Sequence, residues 1–339
     1  MSNPTMRSER GRVSIGSVGK RLFSDYSYMM SFILIVVIAA SVNPNFFSWR
    51  NITNIFVQSS VIGVIAMGMT MVICAGQIDI SVGAQVSIIS GFVIEVLNYT
   101  HDIWLMLLFC LIFGAIIGVV NGLLVAKGRM PAMIATLAIQ TSCRAIINHF
   151  GQGGPFTVAA GISTEPFYEA YRQVAAGSVN VFGLKFPYPM LIFIVVSLLF
   201  GLIMQRTRLG KHIYAVGSNA VSARLSGVNV TRIKIAVFSI TGLMCGFASW
   251  IYASRLMAVA AASAGNLFEM DAIAAVAIGG TAMSGGRGKI IGTFLGVLMF
   301  KIINNILTMA NVPTFLNGAI SGGIIIIAVL LQNTQGRRK

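Results

Sequence analysis

The sequence predicts an all-α, polytopic membrane protein of about ten transmembrane helices, with both termini cytoplasmic. Three observations carry that expectation: sparse charge, apolar runs of membrane length, and basic residues gathered on one side. Only 10% of residues are charged and 56% are hydrophobic, whereas a soluble domain carries about 25% charged residues. A chain so depleted cannot solvate its own surface, so most of that surface faces lipid.

The elements follow in chain order. Residues 1–26 form a basic cytoplasmic segment with Arg7, Arg10, Arg12, Lys20 and Arg21. It is read as preceding an uncleaved first span rather than as a signal peptide. A span needs about 20 mostly apolar residues. The runs 27–43, 53–75, 80–97, 103–126, 132–150, 188–205, 235–254, 271–284, 290–310 and 314–332 meet or approach that length. Together they make a transmembrane domain over 27–334, followed by a basic tail, 335–339. A long outer loop, 151–187, and a long inner loop, 205–234, interrupt the domain.

Charge placement sets the orientation. With the N-terminus inside, basic residues collect in the N-terminal segment, at Lys127 and Arg129, in 205–234, at Arg287 and Lys289, and in the tail. Only Arg50, Arg172, Lys185 and Arg255 fall outside, and Arg144 and Lys301 lie within spans. That asymmetry is the positive-inside signal. It accounts for the net charge of +15 without nucleic acid.

Several function classes are excluded by what the residues lack. The four cysteines sit in apolar runs and read as small core hydrophobes. The three histidines have no metal-ligand spacing. No G-x-S-x-G nucleophile motif occurs, so no catalytic residue is assigned and a membrane hydrolase is disfavoured. No G-x-x-x-x-G-K-[ST] loop occurs either. ATP cannot be bound by that route, and no cofactor is expected in the chain itself.

Within the inner loop, SNAVSARLSG predicts a short capped helix. Ser218 or Asn219 caps it, Val221 and Leu225 share a face, Arg224 precedes Leu225, and Gly227 takes the left-handed closing position. Such a helix suits a groove in a soluble partner or, more blandly, the membrane surface.

Three stretches carry a resemblance: GMTMVICAGQIDISVGA (68–84), GSNAVSARLSGVNVTRIK (217–234) and DAIAAVAIGGTAMSGGRGKIIGTFLGVL (271–298). They resemble the permease subunit of bacterial ATP-binding-cassette importers, in the carbohydrate branch that includes ribose, xylose and galactose permeases. PNFFSWRNITNIFVQSS (44–60) is similar to the ribose-type members, and GQID stands where the family usually has GGID. The resemblance implies a multi-pass protein of the bacterial inner (plasma) membrane that forms the pathway for a monosaccharide. It implies a second permease subunit, identical or different, a cytoplasmic ATPase that uses the ATP, and an extracytoplasmic sugar-binding protein. It also makes the segment matching 217–227 the coupling helix. The competing reading is a gradient-driven secondary sugar transporter, favoured by weak internal similarity between AMGMT (66–70) and AIGGT (277–281).

Candidate pathway or gate residues are Asp79, Ser81, Gly83, Arg144, Asp271, Gly279 and Gly280. Asp79 is expected to cap the third span and fix a turn with help from Ser81, while Gly83 permits close packing. Arg144 lies within the fifth span, where a charge costs about 2.5–3.5 kcal/mol and so faces protein or water. Asp271 and Glu269 cap the eighth span or meet the binding protein. Gly279 and Gly280 belong to a glycine cluster, 277–292, read mainly as tight packing. Asn121, Asn304 and Asn305 are expected to bond between helices.

Overall fold

A computed structural model describes residues 27–42, 44–310 and scattered positions from 312 to 326. The N-terminal segment, most of the expected span 314–332 and the tail lie outside the described residues. The helices are α1 (Ser27–Val42), α2 (Trp49–Cys74), α3 (Val82–Thr100), α4 (Ile103–Ala126), α5 (Ala132–Phe150), α6 (Pro166–Ala176), α7 (Tyr188–Arg206), α8 (Arg208–Ser218), α9 (Ala220–Leu225), α10 (Val230–Leu256), α11 (Phe268–Ile278) and α12 (Ile290–Met309). Of these, α2, α3, α4, α7, α10 and α12 are long and apolar enough to cross a membrane. α5 matches them in length, 19 residues, but is less apolar.

Local chemistry sets the boundaries. Ser48 opens α2 by accepting from the Asn51 amide, and Asp102 opens α4 by accepting from the amides of Trp104 and Leu105. Asn229 opens α10 by accepting from the Arg232 amide, so that helix begins five residues before the apolar run that announced it. Each cap satisfies a donor the helix itself cannot.

The eighth expected span, 271–284, is corrected. Its helix α11 stops at Ile278, and Gly280 turns the chain with φ +81°. Eleven residues reach about 16 Å at 1.5 Å each, roughly half the hydrocarbon thickness. The fold is also not purely helical. β1 (Pro155–Thr157) pairs antiparallel with β4 (Ala258–Ala260), and β2 (Ser178–Val181) pairs with β3 (Leu184–Pro187). The outer loop 151–187 thus holds α6 and a hairpin. It is tied down by the Tyr171 hydroxyl, which donates to the Trp250 carbonyl at 2.8 Å.

The core lies around α2. Every residue from Ser59 to Cys74 is buried, as is nearly all of α3 from Val82 to Val93. α2 is wrapped by α7, α10, α11 and α12, and α10 in turn carries α4 along its length. The α4–α10 crossing rests on glycine. Gly114, Gly118 and Gly122 recur every fourth residue on α4 and face Gly242, Gly246 and the backbone near Phe238 and Ile235. A Cβ on Gly118 would come within 2.9 Å of the Ser239 Cα and closer still to the Phe238 carbonyl. The outward faces of α1, α4 and α7 are apolar, with Leu34, Val37, Leu108, Ile112, Ile116, Leu198 and Leu202 exposed. Those faces meet lipid.

Gly118→Val should part α4 from α10 and lower stability by about 1–3 kcal/mol or more, as overpacking does. Gly201→Ala, on α7 with open space at its Cβ position, should be neutral or slightly stabilising. Thermal unfolding in detergent compares the two, and equal effects would discount the crossing.

Candidate functional site

The chain segment between α2 and α3 turns at Gly76, whose φ is +73°, a region that costs glycine nothing. Three residues on, Asp79 is fully buried. Its Oδ1 accepts from the Ser81 amide at 2.9 Å and from the Ser81 hydroxyl at 2.6 Å. Asn121 on α4 donates to the Ser81 Oγ at 2.8 Å and lies 3.5 Å from Asp79 Oδ2. Gln85 donates to the same Ser81 Oγ, and the Ile80 amide donates to Thr136 on α5. The expected N-cap is therefore corrected. α3 starts at Val82, Ser81 occupies the cap position without a side-chain cap bond, and Asp79 serves the Ser81 turn one residue earlier. The turn is nonetheless held by this carboxylate, which joins the start of α3 to Asn121 on α4, while the Ile80 amide ties the turn to α5.

The three stretches that carry the resemblance meet at one place. The Gly286 amide donates to the Cys74 carbonyl at 2.9 Å, closing α2 onto the 282–289 turn. Gly217, at the end of α8, packs directly against that same carbonyl and against the Gly286 amide, while Gly285 lies on Gly76. The Tyr214 hydroxyl on α8 donates to the Gly288 carbonyl at 2.8 Å, and burial pushes that phenol up to about 12. At the centre of this glycine junction, Gly217, Gly285 and Gly286 bring backbone directly against backbone.

Immediately beyond it, Asn219 caps α9 by accepting from the amides of Val221 and Ser222 at 3.0 and 2.9 Å. Ser218 ends α8 instead of capping, so two helices stand where one was expected. Gly227 closes α9 with φ +83°, and the Val228 amide reaches the Ala223 carbonyl. Ala223 is buried, whereas Val221 and Leu225 are 70% and 85% exposed. α9 presents two branched apolar side chains with nothing on them.

On the predicted outer side, the Arg144 guanidinium donates to the Ala264 carbonyl at 2.5 Å. Glu269 is 5% exposed, and its Oε2 has no hydrogen-bond partner among the described residues. That carboxylate lies against Gly83, which is also in contact with Gly265, so a side chain at 83 would displace it. Asp271 pairs with Lys301 on α12 at 3.4 Å, joining the half-helix to its neighbour. Gly279 packs on Gly292, and Gly280 makes the turn. Asn305 and Asn51 exchange amide hydrogen bonds at 3.1 and 3.4 Å. The paired function of Thr70 and Thr293, hydroxyls 2.7 Å apart, was not anticipated from sequence.

α5 differs from the other outward-facing helices. Thr141, Ser142 and Asn148 are exposed on it, and Gln140 and Arg144 are half-buried. Gln140, Arg144 and Asn148 recur every fourth residue and share a flank. The Gln140 Oε1 has no partner among the described residues. Only Arg144 of this stripe was singled out in the sequence. The four-residue spacing was the available signal for the others. Among the described residues no group of His, Cys, Asp and Glu could hold a metal ion.

Comparison with known proteins follows the same division. A family profile described as branched-chain amino acid transport system / permease component matches residues 51–329. The ribose import permease protein of Haemophilus influenzae is 34% identical over 98% of this chain and 99% of its own length. That of Bacillus subtilis is 35% identical over 98% of both chains. The xylose transport system permease protein of Escherichia coli is 30% identical over 86% of this chain and 89% of its own. No significant match to a solved structure was found.

Asp79→Leu should strand the Ser81 amide and hydroxyl, lowering stability by about 2–5 kcal/mol. Asp79→Asn keeps a carbonyl acceptor and should cost less than half of that. Unfolding midpoints of the purified variants decide it, and indistinguishable losses would remove Asp79 from its turn-holding role.

Proposed function

The chain belongs to the family of transport-system permease components, and from that premise we infer that it is the permease subunit of an ABC-type sugar importer. It is a multi-pass protein of the bacterial inner membrane and a transport component, with ATP hydrolysis in a separate subunit. One observation carries the sugar assignment: similarity to ribose import permeases extends over almost the whole chain. The finer reading is that the solute is a ribose-like monosaccharide delivered by an extracytoplasmic binding protein. The gradient-driven alternative is not favoured.

Two permease copies form the pathway in this proposal, with the polar flank of α5 as one wall. The support is physical. Polar groups on a spanning helix face protein or water rather than lipid, and among the described residues Thr141 and Asn148 are exposed while Gln140 and Arg144 are half-buried. Amide, hydroxyl and guanidinium groups suit the hydroxyls of a sugar. Arg144 and Glu269 then stand within the route, with Glu269 against Gly83 near the start of α3.

Coupling runs through α9. Val221 and Leu225 enter a groove on the ATPase, as an amphipathic helix does. Movement of α9 passes through Asn219 and Gly217 to the Cys74 end of α2 and to the 282–289 turn. The turn carries the short α11, with Asp271, Gly279 and Gly280, and this half-helix acts as the gate. Asp79 and Ser81 anchor the adjoining turn.

Reconstitution in liposomes with the ATPase and binding protein tests the function directly. Labelled ribose should enter only with ATP, and xylose should compete. Uptake under an ion gradient without the ATPase would overturn the assignment. Val221→Asp with Leu225→Asp should abolish uptake while the chain still inserts, and wild-type uptake in that variant would remove α9 from coupling.

Gln140→Leu and Asn148→Leu should each lower uptake roughly tenfold, the scale of one hydrogen bond at about 1–1.5 kcal/mol. Leu198→Ala, on the lipid face of α7, should leave it unchanged. Wild-type uptake in both α5 variants would exclude that flank from the pathway.

A further inference from the structure

A second site lies on the predicted cytoplasmic side, distinct from the polar α5 flank and beside the glycine junction. A cavity of about 440 Å³ opens between the α4–α5 turn, α9 and the start of α10. Its lining includes Arg129, Arg224, Lys234, Gln77 and Thr231. Three cations converge and no acidic residue lines the cavity. Among the described residues none of the three has a salt bridge. Asp79, near in sequence to Gln77, is turned inward to Ser81 and Asn121. Arg129 sits at φ +55°, a conformation that glycine or asparagine adopts with less strain.

We propose that this cavity binds the phosphoryl headgroup of an anionic membrane phospholipid. Three uncompensated cations in one recess match a phosphate monoanion or diester, and basic pockets at the cytoplasmic ends of spanning helices suit such headgroups. A lipid is favoured over a soluble phosphate by what adjoins the cavity. Ala126 in its lining continues a row on α4 formed by Ile112, Ile116, Val119 and Leu123, all of them exposed. Acyl chains can lie along that row while the headgroup occupies the recess.

The wild-type chain and an Arg129→Gln/Lys234→Gln variant are purified from bacterial membranes in mild detergent. Co-purifying phosphatidylglycerol and cardiolipin are then quantified against phosphatidylethanolamine. The wild type should be enriched in the anionic lipids, and the variant should lose that enrichment roughly tenfold or more. In nanodiscs, phosphatidylglycerol should raise the unfolding temperature of the wild type over phosphatidylcholine alone, and not that of the variant. If the variant does not accumulate, the nanodisc comparison on the wild type still decides the matter. Equal lipid retention by the two chains would overturn the proposal. So would stabilisation by free inorganic phosphate without lipid preference. None of these readouts depends on sugar transport.

Discussion

Backbone packed directly on backbone, at positions with no side chain, is the contact on which the rest of this structure depends. Lipid tails are as apolar as leucine, so helices in a bilayer gain little by hiding apolar surface from each other. Close van der Waals approach and interhelical hydrogen bonds must hold them. Gly114, Gly118 and Gly122 on α4 against Gly242 and Gly246 on α10 supply the first. The Thr70–Thr293 and Asn51–Asn305 pairs supply the second. At the cytoplasmic end both devices coincide, because the Gly286 amide bonds the Cys74 carbonyl with Gly217 pressed on the same oxygen. A larger residue there would separate three elements at once.

The few buried charges divide by how completely they are met. Asp271 has Lys301, and Asp79 has both donors of Ser81. Such satisfied groups fix a geometry, since removing one partner strands the other in a medium that cannot solvate it. Among the described residues, Glu269 and Gln140 each keep an oxygen without a hydrogen-bond partner, as do Gln85 and Asn121 beside Asp79. Arg144 spends one bond on the Ala264 carbonyl. Unmet oxygens thus occur both on the α5 flank and beside Asp79, at Gln85 and Asn121, so hydrogen-bond satisfaction alone does not separate groups that brace the fold from groups open to a solute.

How much was legible in the sequence depended on the range of the interaction. The long spans followed from apolar run length, and the α9 cap and Gly227 closure followed from side chains acting within three residues. Asp79 was readable as the holder of a turn, but its partner on α4 was not, because Asn121 is 42 positions away. α11 was read as a span since its apolar run continues past Ile278. The glycines at 279 and 280 end the helix, and composition does not say which side of a break a glycine serves. α8 was read as loop although Leu209, Ile213 and Val216 recur at the i, i+4, i+7 spacing of one helix face. The spacing of Gly114, Gly118 and Gly122 was visible, yet its meaning required the opposing glycines of α10. The ribbon of β1 with β4 joins segments about a hundred residues apart, and nothing local to either strand encodes it.

A chain without an ATP-binding loop must receive its energy as displacement, and the connection from α8 to α9 suits that role. One residue, Asn219, separates the two helices, and its side chain is spent on the α9 amides, so the angle between them is set. α8 is fastened twice on its other side, by the Tyr214 hydroxyl on Gly288 and by Gly217 on Cys74. A force on Val221 and Leu225 is therefore not dissipated in a flexible loop. It reaches the C-terminal end of α2 and the turn that follows the half-helix α11. That turn is rich in glycine and can change its dihedral angles at small cost, whereas α2 is buried on all sides and cannot. In the proposed coupling, the 279–289 segment is the element that yields, and α11 moves with it.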